Sequence, residues 1–113
     1  MNIQIFGTKK CNDTKKAQRF FKERGIKFQF IDLNEKTMSK GEFKSVCQAV
    51  GGMDAVIDEN CKDKTALALI KYISDSQKEE KILENQQVIK TPVVRNGKQA
   101  TVGYQPDVWK KWE

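Results

Sequence analysis

The chain has 113 residues, 38% hydrophobic and 32% charged, with a net charge of +6. That suffices for one domain with a modest core, and it excludes a disordered or collagen-like chain. No apolar run approaches the ~20 residues of a membrane helix. The first ten residues carry their charges after the apolar stretch, the reverse of a secretory signal. A cytoplasmic protein without membrane contact is therefore expected. There is no histidine, which removes histidine bases, Ser-His-Asp triads and most catalytic zinc sites, so no metal site is expected. Three widely spaced cysteines, Cys11, Cys47 and Cys61, are not a disulfide framework. The charge is uneven: residues 1–40 carry +6, residues 41–91 carry −2 and residues 92–113 carry +2. The positive excess thus concentrates around Cys11.

In chain order, Ile3 and Ile5 alternate with polar residues and Phe6 follows, which predicts a first strand. Gly7 to Lys10 reads as a loop, and Asn12, Asp13 or Thr14 as the cap of a helix. Ala17, Phe20 and Phe21 share one face of that helix, and Gly25 ends it. Phe28 to Leu33 predicts a second strand, which completes a strand–helix–strand unit. Ser39 and Glu42 form a capping box ahead of Phe43, Val46, Cys47 and Val50, and Gly51-Gly52 stops that helix. Thr65 to Ile73 predicts a short amphipathic helix with Leu67, Ile70 and Leu69 inward. Ser74 or Ser76 opens another, which carries Lys78 to Lys81. Two runs, Pro92 to Arg95 and Lys98 to Val102, flank Asn96-Gly97 and predict a hairpin with a type I′ turn. Pro106 begins a last helix with Val108, Trp109 and Trp112 on one face. The order predicts an α/β fold, a small mixed sheet of about four strands flanked by helices.

Cys11 is the sharpest chemical feature. It follows a strand and loop and opens a helix, where backbone N–H groups and the helix dipole favour an anion. Lys9, Lys10, Lys15 and Lys16 surround it in sequence, and both effects lower a thiol pKa. Thr14 stands where a C-x-x-C dithiol would carry its second cysteine, so Cys11 acts as a single thiol or with a distant partner. Cys47 fits the buried stripe of its helix. Cys61 lies in a polar stretch, where an exposed free thiol is expected rather than a resolving one. The basic first helix, with Lys15, Lys16, Arg19, Lys22 and Arg24, offers few aromatics for base stacking. It reads as a solvated face without direct nucleic-acid contact.

These features together resemble the arsenate-reductase (ArsC) and Spx family of thioredoxin-like proteins. The resemblance rests on the strand IQIFG with its Cys11 loop, and on Lys15-Lys16-Ala17 behind the thiol. It rests further on Thr91-Pro92-Val93-Val94, and on Asn96-Gly97 with Val102-Gly103-Tyr104 and the Trp-rich terminus. It implies a single thioredoxin-like ArsC-type domain over 1–113, with a helical insertion at about 38–88. It implies that Cys11 is the reactive thiol and that Pro92 is cis and borders the site. Lys9, Lys10, Thr14, Lys15, Thr91 and Pro92 are then the expected substrate- and thiol-binding residues. Thr14 donates its hydroxyl to the sulfur, and Thr91 and Pro92 offer backbone groups to an extended thiol. No bound cofactor is expected. The reductant is glutathione or another low-molecular-weight thiol, or a glutaredoxin- or thioredoxin-type protein. Arsenate reductases of the family hold the oxyanion with arginines, one just before the proline, where this chain has Thr91. The only arginines are Arg19, Arg24 and Arg95, so arsenate reduction is not expected. The expected activity is a thiol-dependent oxidoreductase acting as a monomer. The alternative is an Spx-like transcriptional regulator that binds the RNA polymerase alpha subunit.

Overall fold

A computed structural model describes residues 1–112 of the chain. Strand β1 (Ile3–Gly7) leads through a short turn into helix α1 (Asn12–Glu23) and strand β2 (Phe28–Asp32). Three helices follow, α2 (Lys40–Val50), α3 (Lys64–Tyr72) and α4 (Asp75–Glu84), with 3₁₀ turns at Met53–Val56 and Gln86–Val88. Strands β3 (Val93–Asn96) and β4 (Gln99–Val102) and helix α5 (Pro106–Lys110) close the chain. The four strands form one mixed sheet in the order β2-β1-β3-β4. β1 and β2 are parallel, as a strand–helix–strand crossover requires, and the other pairs are antiparallel.

Both faces of the sheet are covered, and the side-chain alternation of a strand decides which residue goes where. Ile3, Ile5 and Val94 face α1 and α5, and pack with Ala17, Phe20, Phe21 and Trp109. Phe6, Ile31 and Val93 face the other way, into a core with Phe43, Val46, Ile70 and Ile82 of α2, α3 and α4. Trp109 is completely buried, and its indole N–H donates to Thr101 Oγ1 at 2.8 Å. The capping box of α2 forms as read: Ser39 Oγ accepts the Glu42 N–H, and the Glu42 carboxylate accepts the Ser39 N–H.

Four local expectations are corrected. Cys11, not Asn12, Asp13 or Thr14, is the N-cap of α1, so those three residues are already helical. The hairpin loop is Gly97-Lys98, because Asn96 pairs with Gln99. Gly97 has φ +61° and among the described residues no non-glycine residue, Lys98 included, has positive φ, which is the φ pattern of a II′ turn rather than I′. Leu69 points outward, 46% exposed, because Leu67 and Ile70 already fill the inward face of α3. Val108 likewise faces solvent while Trp109 turns inward.

Gln86 fastens the helical segment to the loop after β2. Its Oε1 accepts the Met38 N–H at 2.7 Å, and its Nε2 donates to the Met38 carbonyl at 2.8 Å. Both Met38 and Gln86 are buried. Gln86→Leu keeps the volume and leaves two backbone groups unpaired, each at about 1–3 kcal/mol. Chemical denaturation should show a loss of about 3 kcal/mol, whereas an exposed Gln77→Leu on α4 should change little.

Candidate functional site

The thiol of Cys11 stands where α1 begins. The Cys11 N–H donates to Thr8 O at 3.2 Å and closes a turn centred on Lys9-Lys10. At an N-cap the side chain is the natural acceptor for the amides of the second and third helical residues. Here those residues are Asp13 and Thr14, and cysteine places a sulfur before them.

Partial burial pushes the Cys11 thiol up, but hydrogen bonds to the sulfur outweigh it. They come from the Thr14 and Thr91 hydroxyls and from the Thr14 and Asp13 amides, so the pKa lies below the ordinary value. Thr14 is fully buried, and its Oγ1 has no hydrogen-bond partner among the described residues. It is also the strongest of the groups that lower the thiol. A thiolate is a stronger acceptor than a thiol, so ionised sulfur would be the better partner for that hydroxyl. In the thiol form, Sγ is the donor and faces Thr91 O at 3.7 Å. The Thr91–Pro92 peptide is cis, and Pro92 is buried.

Gly7, which the sequence reading passed over as loop, makes this arrangement fit. A Cβ on Gly7 would lie 2.4 Å from Thr14 Oγ1 and 2.5 Å from its Cγ2. Only the lack of a side chain lets Thr14 lie across the end of β1. The signal was a glycine at the close of a strand, where the residue type marks a close approach.

The lysines around Cys11 are exposed. Lys9 Nζ lies 3.7 Å from Glu35 Oε1, with both side chains about 70% exposed. Lys10 and Lys15 are exposed. Hydrogen bonds, not lysine charges, are the groups that lower the Cys11 thiol. The other thiols stand apart. Burial and the Glu79 carboxylate push Cys47 up to about 11. Cys61 is buried, not exposed, and its Sγ donates to Gln87 O at 3.3 Å. The polar residues around it in sequence face out while its small apolar side chain fills the core. Among the described residues no group of three or more metal-ligating side chains is placed to hold an ion.

A cleft of about 350 Å³ lies between the loop after β2 and the segment that joins α4 to β3. Thr8 and Thr91, the residues beside Cys11 in space, form part of its lining. Asn34, Thr37, Asp58 and Glu84 line it as well, and none of its lining residues is basic.

The account of the thiol predicts two variants with one outcome. Thr14→Val removes the hydroxyl at constant shape, and Gly7→Ala displaces it. A hydrogen bond to a charged group is worth about 1.5–3 kcal/mol, and 1.4 kcal/mol is tenfold. Both variants should therefore slow alkylation of Cys11 by iodoacetamide at pH 7 by about tenfold or more. The thiolate fraction falls as the pKa rises, so the deficit should shrink as the pH is raised.

Three comparisons bear on this geometry. The chain is 27% identical over 109 residues to Global transcriptional regulator Spx 2 of Oceanobacillus iheyensis, covering 95% of this chain and 80% of that protein. Its structure matches an arsenate reductase from Vibrio cholerae with a TM-score of 0.83 and 24% identity, over 98% of this chain and 97% of that one. It matches the glutaredoxin-like protein NrdH-redoxin of Escherichia coli with a TM-score of 0.51 and 18% identity, over 100% and 96% of the two chains. The fold is thus α/β and thioredoxin-like, with Cys11 after its first strand. The profile of the ArsC family matches residues 6–112, and this chain belongs to that family.

Proposed function

We propose that the protein is a single-thiol oxidoreductase that exchanges disulfides through Cys11. One observation carries the reading: Cys11 is the N-cap residue of α1, and neighbouring hydroxyls and amides lower its thiol below the ordinary pKa. The Cys11 thiolate attacks one sulfur of a substrate disulfide. A new S–S bond joins that sulfur to Cys11, and the other sulfur leaves as a thiolate that takes up a proton. An external thiol, glutathione or a similar small molecule, ionises and attacks the sulfur now bonded to Cys11. Cys11 returns as thiolate, and the external sulfur ends in a disulfide with the departing fragment. Resolution is external on this reading because position 14 is threonine, Cys47 is held as a thiol and Cys61 is buried.

Arsenate is not the substrate on this reading. An oxyanion in a pocket requires charge-assisted donors, and a planar guanidinium supplies them in pairs. Arg95 donates to Gln4 Oε1 at 2.9 Å and lies 4.0 Å from Glu42, on the sheet away from the cleft. Arg19 of α1 and Arg24, the residue that follows the helix, line a separate groove with Tyr104 and Lys110.

The 27% identity to an Spx regulator favours a second reading, a binding protein for the RNA polymerase alpha subunit. Threonine at position 14 leaves that role without a dithiol switch. Cys11→Ser separates the two readings, since it abolishes exchange and leaves polymerase binding intact.

With glutathione and glutathione reductase, the unmodified protein should reduce bis(2-hydroxyethyl) disulfide. Cys11→Ser should reduce that rate to background without lowering the melting temperature. Arsenate turnover should stay at background in the same coupled assay. Robust arsenate turnover would show that the Cys11 loop holds an oxyanion without arginine.

A further inference from the structure

We infer that the cleft beside Cys11 seats the half of the disulfide that becomes bonded to Cys11, and that it favours an amine-bearing small thiol. The inference rests on the exchange reading above and names its substrate class.

Cys11 does not itself line the cleft, but two residues it touches do. Thr91 lines the cleft and presents its carbonyl 3.7 Å from Cys11 Sγ, and Thr8 lines it and accepts the Cys11 amide. Beside the sulfur the buried Thr14 hydroxyl has no hydrogen-bond partner among the described residues. From there the cleft runs between two walls that Gln86 holds together through Met38. Leu33, Leu83 and Ile89 give it apolar surface for methylene groups.

Its charge is one-sided. Asp58 uses one carboxylate oxygen to accept the Asn60 N–H at 2.9 Å, which leaves the other oxygen for a ligand. Glu84 joins it on the lining, with its Oε1 3.2 Å from Lys81 and its other oxygen unpaired among the described residues. No lysine or arginine lines the cleft in a chain of net charge +6. The lysines nearest Cys11 in sequence, Lys9 and Lys10, are exposed in their turn, and Lys9 faces Glu35. A free carboxylate on the ligand would meet Asp58 and Glu84, whereas an ammonium group would be attracted. Opposite charges about 6 Å apart, at a dielectric between protein surface and water, change binding by about tenfold. Lys9 and Lys10 are exposed, so salt screens them more strongly than groups on the lining.

The step is the exchange already described. The Cys11 thiolate attacks the sulfur of the half seated in the cleft, that half becomes disulfide-bonded to Cys11, and the other half leaves as thiolate and is protonated by solvent.

Three disulfides of matched size test the inference: cystamine, bis(2-hydroxyethyl) disulfide and 3,3′-dithiodipropionate, which are cationic, neutral and anionic at pH 7. Rates of mixed-disulfide formation are followed by intact mass, with the bonded cysteine located by peptide mapping. Each rate is divided by that of 1-thioglycerol, a neutral thiol distinct from all three, with the same disulfide, which removes intrinsic reactivity. The expected result is a normalised preference of about tenfold for cystamine over dithiodipropionate at low salt, narrowing as salt is raised. Combining Asp58→Asn with Glu84→Gln should bring the ratio close to one. The salt series on unmodified protein carries the test if that variant fails to fold. A normalised ratio at or below one overturns the inference, as does a preference that survives both substitutions or does not respond to salt. Reaction of Cys11 with the neutral disulfide but no charge preference overturns this inference alone. Reaction with none of the three overturns the exchange reading and this inference with it.

Discussion

A hydroxyl sealed from water must find an acceptor, and Thr14 faces a sulfur that accepts well only when charged. That one constraint ties the local structure together. It requires glycine at the end of β1, because any side chain there would occupy the space of Thr14. It requires Cys11 to be the N-cap rather than the first helical residue, so that the sulfur meets the same end of α1 as the amides of Asp13 and Thr14. The helix start, the strand end and the state of the thiol are consequences of one packing arrangement. In this chain a threonine stands where a dithiol would hold a second thiol.

The sheet supplies the other half of the site. β1 lies between β2 and β3, with Phe6 opposite Val93. The chain leaving β1 and the chain entering β3 therefore meet at one edge, and residues 80 positions apart in sequence become neighbours at the sulfur. The register that buries Phe6 and Val93 on the helical side is also the register that brings Thr91 to Cys11. Core packing and site geometry are set by the same pairing. The cleft follows from the next layer out, where Gln86 pins the loop after β2 against the end of α4.

Much of this was legible in the residues. The alternation at Ile3 and Ile5, the Ser39–Glu42 box and the proline ahead of the hairpin each carry a local signal, and the elements formed there. Cys11 stood out because a thiol in a polar loop before a helix has no packing reason to be there. What was not legible depends on distant geometry. The lysines near Cys11 were read as its electrostatic support, but sequence proximity does not say where a long side chain points, and Lys9 turns to Glu35. Cys61 was read as exposed from polar neighbours, yet one apolar side chain among polar ones is free to turn inward. Asp58, Glu84 and Gln86 belong to segments that read only as polar, and no local rule brings them to one cleft. Gly7 had a signal, its place at a strand end, but its partner became visible only with Thr14 in position.

The central claim is that neighbouring hydroxyls and amides lower the pKa of the Cys11 thiol. The direct measurement is the ultraviolet absorbance of the thiolate, titrated against pH in protein with Cys47→Ser and Cys61→Ala. The account predicts half-ionisation of Cys11 below the pH of about 8.5 typical of a free cysteine, with the same midpoint at low and high salt. Insensitivity to salt follows because the donors are buried hydroxyls and amides rather than exposed lysines. A midpoint at or above that pH would contradict the account, and a midpoint that rises steeply with salt would return the thiolate to the lysines.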